Sequence, residues 1–127
     1  MREIKFRVWC KLHSRYQRSI MIYDIQKSYD YIGSAKDVEC CFGDYLNNDN
    51  YIVMQYTGMK DKNGKEIYEG DIVELKGKKY IVEFYQGCFI GVDEYDEHYE
   101  NTIFLDEAFI RQIKVIGNVY EVVKDEM

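Results

Sequence analysis

Lys5, Arg7 and Trp9 occupy alternate positions of an extended-looking run, REIKFRVW at residues 2–9. Two cations and an indole on one face of a strand could follow a phosphate backbone while a base stacks on the ring. The same face could instead cover Trp9 and keep its basic heads in water. It could also pair with acidic groups of this chain or of a second copy. A second cluster, DEYDEHYE at 93–100, brings Asp93, Glu94, Asp96 and Glu97 together. Carboxylates so placed could hold a hard cation and support metal-assisted hydrolysis. They lack the twelve-residue calcium pattern and its central glycine, so a solvated acidic loop is the simpler reading.

Other chemistry is poorly provided for. His13 and His98 are the only histidines, and the acids around His98 favour its protonated form over a neutral base. No Ser or Cys stands in a nucleophile setting. Cys10, Cys40, Cys41 and Cys88 show none of the paired spacing of a zinc site. An adjacent Cys40–Cys41 disulfide would be strained, so free thiols in a reducing compartment are expected. No catalytic, cofactor-binding or metal-binding residue is assigned, and a non-enzymatic protein without a cofactor is expected.

The elements that must carry these residues are mostly strands. REIKFRVW alternates, with Ile4, Phe6 and Val8 on one face and Lys5, Arg7 and Trp9 on the other, as a half-buried strand does. SIMIYDI (19–25) and YIVMQYTG (51–58) also read as strands. Residues 26–50 have little pattern and suggest an irregular connection with one helical turn near 35–46. The stretch YTGMKDKNGKEIYEGDIVEL (56–75) reads as a hairpin feeding a further strand. Asp61-Lys62-Asn63-Gly64 is its turn, with arms from Tyr56 to Met59 and from Lys65 to Tyr68. Gly58, Asn63, Gly64 and Gly70 permit sharp turns, and Asp71 can accept from nearby backbone N–H groups. Ile67, Ile72, Val73 and Leu75 are expected to line a barrel wall. KYIVEFY (79–85) and CFIGV (88–92) continue the meander across turns at Lys76-Gly77-Lys78 and Gln86-Gly87. TIFLDEAFIRQI (102–113) suggests a short helix capped by Asp106, with Ala108, Phe109 and Ile113 inward. KVIGNVYEV (114–122) supplies a last strand able to close the barrel, which would protect otherwise exposed edges.

Composition supports this outline. Thirteen tyrosines and no proline favour pleated, half-buried surfaces, and tyrosine is common at interfaces. The net charge of −6 divides unevenly: residues 1–20 carry +5 and the remainder −11. That acidic bulk disfavours general binding to nucleic acid or anionic membranes. No apolar run approaches a membrane span, and the charged N-terminus does not resemble a signal peptide. A cytoplasmic protein is expected.

Three blocks of residues carry a family resemblance: MREIKFRVW at the N-terminus, VMQYTGMKDKNGKEIYEGDIVEL at 53–75, and IKVIGNVYEV near the C-terminus. Together they resemble the YopX-like proteins of bacteriophages and prophages. Cys10, Met59 and the tail VVKDEM depart from the usual pattern of those blocks. The resemblance implies a mostly β protein containing an SH3-type barrel, of phage origin, with an uncharacterised role and a tendency to self-associate. It supplies no catalytic residues. The fold expected is mainly β: a small SH3-like barrel over 56–127, and a strand-rich N-terminal part over 1–55. That part would belong to the same globular unit or be exchanged between subunits, with one short helix in all. The expected role is a phage accessory protein acting through protein contacts, with host or phage proteins or with itself. The alternatives are a nucleic-acid-binding module using Lys5, Arg7 and Trp9, and a metal-assisted hydrolase at 93–100.

Overall fold

A computed structural model describes residues 3–13, 18–26, 42–93 and 101–121. Most of the acidic loop, the segment around Cys40 and Cys41, and the C-terminal tail lie outside those residues. The protein is mostly β, with antiparallel sheets. It divides into two compact units, Met1–Gln55 and Tyr56–Met127.

In the first unit, β1 (Phe6–His13) pairs antiparallel with β2 (Arg18–Tyr23) on one side. On its other side it pairs with the start of β3 (Tyr51–Lys60). Helix α1 (Phe42–Leu46) precedes β3. Val8, Ile25 and Tyr45 form the core, with Phe6, Ile22, Phe42, Tyr51 and Val53 packed around them. The rings of Phe6 and Phe42 lie 4.9 Å apart, and Tyr45 meets Tyr51 edge-on at 4.9 Å. The alternation of β1 is real, but the strand is not half-buried as its sequence suggests. Arg7, Val8, Trp9 and Cys10 are all buried, while Ile4, expected inward, is exposed. β1 runs between β2 and β3, so Tyr23, Met54, Met21 and Ile52 stand beside Arg7 and Trp9 on their face.

In the second unit, the rest of β3 turns back into β4 (Glu66–Tyr68). A meander follows: β5 (Asp71–Leu75), β6 (Lys78–Tyr85), β7 (Cys88–Asp93) and β8 (Thr102–Phe104). Helix α2 (Glu107–Ile110) then leads to β9 (Lys114–Asn118), which lies beside β5. The five-stranded order is β8-β7-β6-β5-β9. Among the described residues no ladder joins β8 to β9, so β9 extends the sheet rather than sealing it as expected. The core is Ile67, Val73, Leu75, Tyr80, Val82, Leu105, Ile113 and Val115, with Phe109 and Ile110 against it. Ile72, expected on this wall, is buried but alternates to the opposite face.

The turns explain the tight connections. Lys76-Gly77 and Gln86-Gly87 each join strands through two residues, and all four have positive φ. That is the handedness a two-residue hairpin needs to match strand twist. Thr102–Phe104 is a strand, where the sequence leads one to expect the approach to a helix. Asp106 caps α2, its carboxylate accepting the Phe109 N–H at 2.9 Å. Ala108 faces solvent, and Ile113, just past the helix, is fully buried.

Candidate functional site

The hairpin of β6 and β7 places apolar side chains where solvent reaches them. Cross-strand register sets Phe84 opposite Phe89 and Tyr85 opposite Cys88. Because side chains alternate, Phe84 and Phe89 share the face of Tyr80 and Val82, with rings 5.0 Å apart. Tyr85 and Cys88 point to the opposite face, where Ile90 sits beside Phe104 of β8. Phe84 is 53% exposed, Tyr85 42% and Phe104 61%. Tyr85, Gln86, Cys88, Ile90, Thr102 and Phe104 line a depression of about 390 Å³. The Cys88 thiol donates to the Tyr85 carbonyl at 3.4 Å. From sequence Phe84 and Tyr85 belong to the strand KYIVEFY and Phe104 to the stretch leading into a helix, and nothing singles them out. Their signal was only that the apolar alternation continues to the glycine turn.

The basic stripe is placed differently. Arg7 is 3% exposed and Trp9 7%. Arg7 lies opposite Tyr23 and Met54, and its guanidinium is 5.9 Å from the Tyr23 ring centre. Trp9 lies opposite Met21 and Ile52. Lys5 ion-pairs with Glu3 at 3.3 Å. The three share one side of β1, yet two are withdrawn from solvent, where stacking on a base would require them open. Of the acidic loop only Asp93 is described, and the described residues contain no cluster of His, Cys, Asp and Glu able to hold a metal. No described helix is long and apolar enough to cross a membrane.

The turn residues form a connected network. Gly58 has φ +86° in a bulge where residues 57–59 face Ile67 alone, between the pairs Tyr56–Tyr68 and Lys60–Glu66. The Thr57 hydroxyl donates to the Ile67 carbonyl at 2.8 Å and accepts the Met59 N–H at 3.1 Å. Asn63 and Gly64 lie at the exposed tip, Gly64 with φ +80°. Asp71 is buried and accepts the Tyr68 N–H at 2.8 Å, closing the turn through Gly70, which has φ +85°. The Gly70 N–H donates to Val82 at 2.8 Å, and its carbonyl accepts from Val119 at 2.9 Å.

Asp61 does most to unite these pieces. One carboxylate oxygen accepts the N–H groups of Asn63 (2.8 Å) and Lys65 (2.9 Å); the other accepts that of Val115 at the start of β9 (2.8 Å). Burial alone would push this carboxyl up. The three N–H donors and the Lys65 charge outweigh it and hold Asp61 below the usual carboxylate value. In sequence Asp61 was only a turn former. Nothing local marks its distant partner.

A β meander with a buried acidic staple and an exposed aromatic tip defines a small barrel-like β protein. The fold is shared with the crystal structure of protein EF1440 from Enterococcus faecalis, at 24% identity, TM-score 0.59 and full coverage of both chains. The chain belongs to the YopX protein family, whose model matches residues 5–123. No curated protein matches it.

Proposed function

We propose that this protein is a phage- or prophage-encoded accessory factor that acts in the host cytoplasm through protein contacts, without catalysis, and that it associates with itself. The observation carrying this reading is the exposure of Tyr85 and Phe104 around one hollow, with Phe84 exposed on the other face of the same hairpin. Large apolar side chains grouped in solvent are costly unless a partner covers them. The charge asymmetry of the chain, +5 in its first twenty residues and −11 in the rest, favours a second copy as one such partner, basic end to acidic body. Phage origin rests on the family resemblance.

The nucleic-acid alternative loses support from the burial of Arg7 and Trp9. The test of the leading reading is static light scattering over a wide concentration range at low salt. A mass rising above that of one chain is expected, and a strictly monomeric species at the highest concentration would overturn self-association.

A further inference from the structure

Asn63-Gly64 is the one Asn-Gly pair in the chain, and both residues are exposed. Open space surrounds Gly64: a Cβ built there would meet nothing within 4 Å. A glycine after asparagine is the least hindered setting for intramolecular cyclisation. The Gly64 nitrogen, once deprotonated, attacks Cγ of Asn63. The N–Cγ bond forms, the Cγ–Nδ2 bond breaks, and ammonia leaves with a proton from water. Water then opens the succinimide at either carbonyl, giving aspartate or isoaspartate. Only water is consumed.

The turn opposes this reaction while it is folded. The Gly64 N–H donates to the Asp61 carbonyl at 3.0 Å, so the nucleophile is engaged elsewhere. The Asp61 carboxylate holds the N–H groups of Asn63 and Lys65, one on each side of the reacting bond. Cyclisation needs the nitrogen within near-attack distance of Cγ, and so requires the backbone to swing out of this clasp. We propose that Asn63-Gly64 is the protein's site of spontaneous deamidation and that Asp61 restrains it by clamping the turn. Isoaspartate would add a backbone methylene beside the clamp and displace Lys65 from the Asp61 carboxylate.

The full chain is incubated at mildly alkaline pH in native buffer and in urea, and its digest is followed by mass spectrometry. In urea, Asn63 is expected to convert before Asn47, Asn48, Asn50, Asn101 or Asn118. In native buffer its conversion is expected to be at least roughly tenfold slower, since the folded turn lies far from the near-attack geometry. Asp61→Ala, if folded by circular dichroism, should shorten the native half-life towards the urea value; Asp61→Asn replaces it if the alanine variant does not fold. Earlier conversion at another asparagine would overturn the site. Equal rates in the two solvents, or a folded Asp61 variant no faster than wild type, would overturn the restraint.

Discussion

The Asp61 carboxylate accepts the Val115 N–H at 2.8 Å across 54 positions of sequence. That contact ties the tip of the β3–β4 hairpin to the start of the last strand. The Lys62 N–H, donating to Ile113 at 3.1 Å, reinforces it. Val115 and Ile113 belong to the core, so a polar staple sets the registry of an apolar wall. Replacing Asp61 with alanine leaves three N–H groups without their acceptor. A loss of about 3 kcal/mol is expected, since hydrogen bonds to charged groups are each worth ~1.5–3 kcal/mol. Urea denaturation at neutral pH measures it.

The same staple makes stability depend on pH. The folded Asp61 titrates below its unfolded value. Its contribution is therefore complete above the ordinary Asp range and fades as pH falls through the lower folded value. Asp61→Asn cannot titrate there. The stability gap between wild type and Asp61→Asn should narrow as pH drops through that acid window; an unchanged gap would contradict a depressed folded pKa.

Two glycines should fail for different reasons. Gly70 needs positive φ and has both backbone groups bonded, so Gly70→Val should cost about 2 kcal/mol or more from backbone strain. Gly91 is limited by packing instead: a Cβ there would stand 2.8 Å from Cγ1 of Ile103 and 3.1 Å from Cβ of Tyr80. Gly91→Ala should cost about 1–3 kcal/mol through overpacking. A double-mutant cycle separates them. Ile103→Ala should recover part of the Gly91→Ala loss and none of the Gly70→Val loss.

Thr57→Val keeps the shape of a buried side chain while removing both its hydrogen bonds at the bulge. A drop of about 1–2 kcal/mol in thermal or urea unfolding is expected. A larger cost would mean that the bulge itself depends on the hydroxyl.

Local signals made much of this fold legible. The alternation of β1, the glycine turns at 76–77 and 86–87, and the cap at Asp106 are short-range physics written in neighbouring residues. What escaped depends on position in three dimensions. Whether Arg7 and Trp9 face water depends on what packs around that face of β1, which its own pattern cannot reveal. Thr102–Phe104 is too short to show a period, and only its ladder to β7 makes it a strand. Asp61 looks like any turn aspartate until β9 arrives beside it. The aromatic tip escaped because Phe84 and Tyr85 continue an apolar alternation that normally ends in a core.

The contact role of that tip is open to one direct measurement. Sedimentation velocity on wild type and on Tyr85→Ser/Phe104→Ser, at equal concentration and matched folding, reads it out. These side chains are exposed, so the substitutions should leave stability nearly unchanged. Wild type is expected to sediment as an associating species and the double variant as a monomer. Identical distributions for the two proteins would contradict a contact surface at the β6–β7 tip.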